Sequence, residues 1–311
     1  MNIPSIIAAA TFAAAFAQAA QPVEVGAPDI IAHRVNPHAV AAQPTAGGTT
    51  ATSPITHHGG PVMASPTAYV IWYGNWNQGI GTDTPQGQAI VTEFLQNIGG
   101  SPYYNINQTY SIPGTSISGN VTYGGATTDT GSQGKRLSDS KVWAIVQRAI
   151  SNNALPKDPN GIYFVLTSSD VSVTSGFCTR YCGWHTHGTL TGTDVKYSFV
   201  GNAARCLSGC AAQSTSPNNN PGVDGMVSVL YHELVEAASD PDLNAWYDSG
   251  GAENADKCAW TFGSSQYQVA NGSWANAHLG SRDYLIQRNL HHSATGDYCA
   301  ASVDSSGTLT K

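Results

Sequence analysis

The chain has 311 residues, of which 11% are charged, and its formal net charge is −7. With so few basic residues it offers no positive patch to neutralise a phosphate backbone, which excludes nucleic acid as a partner. The length allows one large domain or two small ones, and we expect one.

The amino-terminal segments predict an exported protein. Residues 1–19 are apolar and uncharged after the amino terminus and end on small residues in the A-x-A pattern, which indicates a signal peptide. Residues 20–65 are rich in Ala, Pro, Thr, Val and Gly, with almost no large apolar side chain, which predicts a flexible linker or propeptide. No stretch is long enough to span a bilayer, so we expect a secreted monomer without a membrane partner.

The remaining chain predicts a single domain over residues 66–303 and a tail over 304–311. Strands are predicted at 67–76, 120–129, 161–170 and 195–202, helices at 84–100, 138–153 and 223–240, and short strands around 265–270 and 282–290. This order predicts an α/β (α+β) fold with helices packed on a single sheet and a cysteine-rich loop between its last two long strands. The order is similar to that of zinc-peptidase (zincin-like) catalytic domains, where an active-site helix lies beneath a sheet edge.

Six cysteines in the second half of the chain agree with export, because disulfides persist in oxidising compartments. The short spacings favour the pairs Cys178–Cys182 and Cys206–Cys210, which leaves Cys258–Cys299. A zinc site of four thiolates is the alternative. Three glycosylation sequons, at Asn107, Asn120 and Asn271, also suit an exported protein.

The predicted third helix carries the main chemical signal, in "VSVLYHELVEAASDP" (227–241). His232 and Glu236 are four residues apart, so they lie on one helical face and can aim at one point. In the related H-E-x-x-H pattern two histidines bind zinc and the intervening Glu is the general base. The sequence therefore predicts zinc ligands at His232 and Glu236 and a catalytic base at Glu233.

A third zinc ligand is expected from the acidic segment that follows the helix. Its acidic residues are Asp240, Asp242, Asp248, Glu253 and Asp256. Glu253 is preferred because it follows Glu236 at the spacing by which a second helix supplies a Glu. Asp242 is the alternative ligand, with Asp240, and Asp256 is expected to orient a ligand. His185 and His187 alternate, so on a strand they share one face, and either could ligate a metal or polarise a substrate carbonyl.

A structural interpretation of the helix stays open. His and Glu occur together on many solvated helix faces, where such a pair contributes little to stability. Here the surrounding helix is apolar and is expected to be buried, where charge is costly unless it is paired or bound to metal. A buried polar network without catalysis is therefore the competing prediction.

Several blocks of the chain resemble the EXORDIUM, or phosphate-induced protein 1, family, over roughly residues 60 to 300. They are "AYVIWYGNW", "SGFCTRYCGWHTHG", "YSFVGNAARCLSGCA", "SPNNNPGVDGMVSVLYHELVEAASDPDLNAWYD" and "ENADKCAW". The resemblance implies an extracellular or cell-wall protein, associated in plants with cell expansion and growth responses. It implies no defined biochemical activity, and the His-Glu pair points to a branch of the family with a zincin-like helix.

The leading hypothesis is a secreted zinc-dependent hydrolase that acts on a peptide or related amide bond, with His185 as an auxiliary catalytic residue. The rival hypothesis is a non-catalytic extracellular or cell-wall protein, with a cell-wall component as its partner. A carbohydrate-binding module is a third hypothesis and rests on the aromatic residues Trp72, Tyr73 and Trp76.

Overall fold

The computed structural model describes residues 53–310. The predicted signal peptide and most of the predicted linker lie outside the described residues. The helices are α1 (Pro85–Ile98), α2 (Asp139–Ser151), α3 (Leu207–Cys210) and α4 (Pro221–Ser239), with 3₁₀ helices at Tyr104–Tyr110, Ala203–Arg205 and Asp256–Cys258. The strands are β1 (Thr56–His57), β2 (Thr67–Tyr73), β3 (Thr122–Asp129), β4 (Arg136–Leu137), β5 (Gly161–Thr167), β6 (Ser172–Val173), β7 (Gly183–Leu190), β8 (Thr193–Val200), β9 (Trp246–Tyr247), β10 (Tyr267–Gln268), β11 (Trp274–Ala275), β12 (Ala277–Leu279), β13 (Arg282–Tyr284), β14 (Asn289–His291), β15 (Tyr298–Ala300), β16 (Ser302–Val303) and β17 (Leu309–Thr310).

A five-stranded sheet forms the centre of the fold, in the spatial order β3-β2-β5-β8-β7. The first four of these strands are parallel, whereas β7 runs antiparallel to β8 at the edge. Strands β2 and β5 are apolar and buried on both faces, as expected for parallel strands covered by helices on each side. At the other edge, β3 alternates between exposed and half-buried residues.

Helices cover both faces of the sheet. On one face α4 packs against α1 and lies beneath β5, β8 and the edge strand β7. On the other face α2 packs on β5 and β8, where Trp143 contacts Tyr197 with ring centroids 4.9 Å apart. The register of β7 with β8 pairs His185 with Ser198 and His187 with Lys196. These residues share the α4 face, because side chains alternate along a strand.

Helix α4 contains acidic residues and is nevertheless buried along almost its whole length. Every residue from Gly222 to Ser239 is buried. The Asn220 side chain accepts a hydrogen bond from the Val223 backbone N–H at 3.3 Å, and Pro221 occupies the first turn, where a missing N–H costs nothing. Among residues 53–310, no helix combines the length and apolar character needed to cross a bilayer.

The long strands and the three long helices are confirmed, but the prediction of a single sheet is too simple. Six further two-stranded sheets lie around the central one in the described part of the chain. The predicted loop between the last two long strands contains β7. Its sequence has two glycines and two histidines, so its strand propensity is weak. It forms a strand because Thr191 and Gly192, both with positive φ, make a tight hairpin turn onto β8.

Residues 53–65, which the composition assigned to the linker, pack against the rest of the fold. Strand β1 pairs with β9, Met63 N–H donates to Ala238 O at 2.9 Å, and Gly60 N–H donates to Asn244 O at 2.9 Å. Ile55, one of the few large apolar residues in this segment, is only 1% exposed. The fold therefore extends towards the amino terminus beyond the predicted boundary at residue 66.

The three disulfides join Cys178 to Cys206, Cys182 to Cys210 and Cys258 to Cys299. The last pair is confirmed, whereas the predicted local pairs Cys178–Cys182 and Cys206–Cys210 are wrong, and so is the four-thiolate zinc site. The two cysteines of each local pair stand four residues apart on segments that lie side by side, so each cysteine meets its counterpart 28 residues away. The two bonds together fix the start of β7 to the chain just before α4.

Trypsin digestion without reduction tests this pairing, because Arg180 and Arg205 separate the cysteines. We expect the peptide 158–180 and the peptide 181–196 to be linked to the peptide 206–257 in one species. Local pairing would instead link 158–180 directly to 181–196 and leave 206–257 separate, and mass spectrometry distinguishes the two results.

Replacing Cys258 and Cys299 together by Ala should lower the free energy of unfolding by about 2–4 kcal/mol, measured by urea denaturation.

Candidate metal centre

The predicted ligands on α4 lie together inside the protein. His232, Glu233 and Glu236 are each 0% exposed. His232 Nε2 lies 3.0 Å from Glu236 Oε1, one helical turn away. The short separation follows from the i, i+4 spacing, because side chains at that spacing are neighbours on the helix surface.

The chain segment after α4 brings two more carboxylates to this point. The backbone N–H of Asp256 donates to Glu236 Oε1 at 2.9 Å, which holds the turn against the helix. Asp256 Oδ1 then lies 3.6 Å from His232 Nε2. The ligand atoms of His232, Glu236 and Asp256 all lie within 4.8 Å of one another.

The edge strand β7 supplies a second imidazole. His185 is 1% exposed, and its Nε2 shares a hydrogen bond with Glu253 Oε2 at 3.0 Å. The ligand atoms of His185, Glu236 and Glu253 also lie within 4.8 Å of one another. Glu236 is therefore common to two overlapping sets of three ligands.

Glu233, the predicted general base, lies where β7 crosses α4. A Cβ atom placed on Gly183 would approach Glu233 Oε1 to 2.9 Å and Val229 Cγ1 to 2.7 Å. Only glycine leaves room for this crossing. The carboxylate of Glu233 is thus packed beneath the first residue of β7, on the same face of the sheet as His185.

Other predicted residues form an outer cluster rather than joining the buried centre. His187 Nδ1 lies 3.0 Å from Asp194 Oδ1 and 3.8 Å from Asp242 Oδ1. Lys196 contacts the carboxylates of both Asp194 and Asp242. The ligand atoms of His187, Asp194 and Asp242 lie within 4.8 Å of one another, but the Lys196 ammonium already lies between the two carboxylates. Asp242 therefore belongs to this outer cluster and not to either set of ligands that contains Glu236.

Asp240 connects the end of α4 to the buried centre. It accepts backbone hydrogen bonds from Asn244 at 2.6 Å and Ala245 at 2.7 Å, which fixes the turn after the helix. Burial raises the pKa of Asp240 to about 6, and the charge of Asp242 adds to the rise. Its side chain also contacts that of Glu253, so it belongs to the shell around the ligands.

A buried asparagine network holds the acidic segment in place. Asn107 Nδ2 donates to Val235 O on α4 at 2.9 Å, and its Oδ1 accepts from Asn254 at 3.2 Å and Asn289 at 2.9 Å. Asn107, Asn254 and Asn289 are each 0% exposed. Asn254 lies between the two carboxylates at 253 and 256, so the network fixes where they point. Asn107 is also one of the predicted sequons, and its burial excludes it as a glycan site.

The donor set and its spacing fit a zinc ion. Two ligand atoms bound tetrahedrally at zinc–ligand distances of about 2.0 Å lie about 3.3 Å apart, and the His232–Glu236 and His232–Asp256 distances are 3.0 and 3.6 Å. Neither ring nitrogen of His232 has a hydrogen bond within residues 53–310, although Nε2 lies at ion-pair distance from Glu236 and Asp256. A buried imidazole without a hydrogen bond is costly unless something else binds it.

The geometry changes the predicted assignment of the third ligand. Glu253, which the spacing favours, pairs with His185, and Asp256, expected to orient a ligand, lies beside His232. The E-N-A-D spacing brings both carboxylates to one side of a turn, but sequence does not indicate which histidine each meets. The sequence analysis does not identify Lys196 and Asp194 as part of a site. Their separation by one residue on a predicted strand indicates that both side chains lie on the same face of the sheet.

Comparisons with known proteins agree with the resemblance. The family model described as the phosphate-induced protein 1 conserved region matches residues 55–287. Protein EXORDIUM-like 3 of Arabidopsis thaliana is 31% identical over 286 residues, which cover 79% of this chain and 82% of that protein. Protein EXORDIUM-like 5 of the same plant is 31% identical over 244 residues, covering 68% of this chain and 65% of that protein. Protein PHOSPHATE-INDUCED 1 of Nicotiana tabacum is 26% identical over 275 residues, covering 74% and 82%. No solved structure matches the chain.

The close crossing of β7 over α4 yields a stability prediction. Gly183→Ala should lower the free energy of unfolding by about 1–3 kcal/mol, because the added methyl group forces the strand away from Val229 and Glu233. Urea denaturation measures the change. Gly79→Ala is the matched control, since a Cβ at Gly79 meets nothing within 4 Å. Equal stability of the two variants would contradict the described crossing.

The asparagine network yields a second prediction. Asn107→Ala should lower the free energy of unfolding by about 2–4 kcal/mol, because it removes the Asn107 acceptor of the buried Asn289 amide and one of the two acceptors of the Asn254 amide. Asn120→Ala is the control at an exposed position and should change stability by less than about 0.5 kcal/mol. Thermal or urea unfolding of both variants makes the comparison.

Proposed function

This chain belongs to the phosphate-induced protein 1 family, and we propose that it is a secreted, zinc-dependent hydrolase of peptide or related amide bonds. The observation that carries the proposal is the convergence of His232, Glu236 and Asp256 on one buried point, with Glu233 next to them on the same helix. None of the names of the three relatives above states a reaction, so the proposed chemistry depends on these residues.

The burial of several carboxylates at this centre supports the proposal of a bound metal ion. A carboxylate removed from water loses several kcal/mol of solvation unless a cation or hydrogen bonds replace it. The buried Glu236 and the nearly buried Asp256 lie beside the His232 imidazole, and the fully buried Glu233 is the next residue on the helix. A divalent cation held by His232, Glu236 and Asp256 would balance the carboxylates and satisfy the His232 ring.

The roles of the residues follow from their positions. Zinc would supply Lewis-acid polarisation of a scissile carbonyl and of the attacking water. Glu233 would take the proton of that water and pass it to the leaving nitrogen, which is the role of a general base and then a general acid. His185, held by Glu253, would approach Glu236 from the edge strand and orient the substrate carbonyl.

The fold and the covalent framework support an exported enzyme of this kind. Helix α4 lies beneath the antiparallel edge strand β7, which is the placement implied by the likeness to zinc-peptidase catalytic domains. Three disulfides are consistent with an oxidising compartment.

A second function is favoured by the burial of the centre. His185, His232, Glu233 and Glu236 are each at most 1% exposed, so a substrate must displace part of the described surface to reach them. In this alternative the same residues form a buried polar or metal-bound cluster that stabilises a non-catalytic extracellular or cell-wall protein involved in growth or signalling.

Metal content tests the first part of the proposal. Protein purified without chelator should contain zinc by elemental analysis, and His232→Ala should reduce its zinc content, because this variant removes the imidazole ligand. His278→Ala is the control, since that ring is largely exposed and contacts only surface groups. Wild-type protein without zinc, or a His232→Ala variant that binds zinc as the wild type does, would contradict the proposed site.

Activity tests the second part. Wild-type protein and Glu233→Gln are each incubated with a mixed peptide library, and the products are identified by mass spectrometry. Loss of the general base should lower the rate of cleavage by about 100-fold or more while zinc is retained. Glu93→Gln, which alters a carboxylate paired with Arg282 at the surface, is the matched control and should cleave as the wild type does. Zinc-containing protein with no cleavage in either case would favour the non-catalytic function.

A further inference from the structure

We infer that the buried centre holds two divalent cations, the second bound by His185 and Glu253 with Glu236 as a carboxylate shared by both ions. The inference rests on the proposed zinc site and adds to it a second site that shares Glu236 with the first. It concerns the side chains of α4, β7 and the segment 253–256.

The ligands fall into two sets and not into one. Among the described residues, His232 and Asp256 form a set with Glu236, and His185 and Glu253 form another set with Glu236. In each set one imidazole and one carboxylate from separate chain segments meet the shared Glu236. A carboxylate has two oxygens and can therefore ligate one ion with each.

The spacing within the second set suits an ion as well as the first set does. His185 Nε2 and Glu253 Oε2 are 3.0 Å apart, and two donors on one tetrahedral zinc ion lie about 3.3 Å apart. The side chains of His185 and Glu253 are 1% and 5% exposed, so water does not readily complete their coordination or solvate their charge.

The charges of the two ligand sets are compatible with a second cation. Together the sets contain three carboxylates, Glu236, Glu253 and Asp256, and their two imidazoles are neutral when they act as ligands. A cation between His185 and Glu253 would add to the offset of buried carboxylate charge that the first cation begins. The ammonium of Lys196, on the same face of the sheet, is engaged by Asp194 and Asp242.

A two-ion centre would also define how the site handles its substrate. Paired ions about 4 Å apart stabilise both the attacking and the leaving atoms in a displacement reaction. Under this arrangement His185 is a ligand and not a group that touches the substrate. This differs from its role in a single-zinc site and can be separated from it by metal content.

The test counts ions in the intact protein. Protein stripped of metal is titrated with zinc by calorimetry, and the metal content after dialysis is measured by elemental analysis. We expect two zinc ions per chain in the wild type, and an anomalous difference map at the zinc edge should show two peaks about 4 Å apart. One ion in the wild type would overturn the second site and leave the proposed zinc site standing, whereas no bound zinc would overturn both.

Variants assign each ion to its ligands. His185→Ala and the conservative His185→Gln should each lose one ion and keep the other, and His232→Ala should lose the other ion. His187→Ala is the matched control on the same strand, because His187 belongs to the outer cluster with Asp194 and Asp242, and it should keep both ions. Circular dichroism confirms that each variant is folded. Two ions retained in folded His185→Gln would overturn the assignment of the second site.

Discussion

The main constraint on the structure is the burial of several carboxylates close to one another. Glu233 and Glu236 are fully buried on the largely apolar helix α4, and the chain segment after the helix brings in Glu253 and Asp256, which follow Glu236 by seventeen and twenty residues. Such a cluster is stable only if hydrogen bonds, protons or bound cations offset the lost solvation. The elements around it are arranged to hold these groups in fixed positions.

Three structural features hold these groups in position. Glycine at position 183 lets β7 cross α4 closely enough to bring His185 over the helix. The disulfides Cys178–Cys206 and Cys182–Cys210 fix the chain just before β7 to the chain before α4, since Cys182 directly precedes β7. The asparagine network ties the segment that carries Glu253 and Asp256 to the Val235 carbonyl of α4. These contacts hold three different elements at the centre: strand β7, the chain before it, and the segment that carries Glu253 and Asp256.

Family membership and the site geometry answer different questions. The match over residues 55–287 establishes the family, and the names of the relatives refer to phosphate induction and to EXORDIUM without stating a reaction. The proposal of zinc-dependent hydrolysis depends on the ligand sets alone. The burial of the ligand residues supports a bound metal ion. It also bears on what the ion does, because a catalytic ion must be reached by a substrate and a structural ion need not be.

The sequence by itself determined the long helices and strands and the placement of His232, Glu233 and Glu236 on one helix. These features depend on local periodicity and on caps such as Thr84 and Ser138, which act within a few residues. Only the tertiary structure decided that β7 is a strand, that residues 53–65 pack on the fold, and which cysteines pair. It also decided that Glu253 meets His185 while Asp256 meets His232. These outcomes depend on contacts between segments far apart in the chain, and the spacing of residues along a sequence carries no information on which distant segment lies opposite.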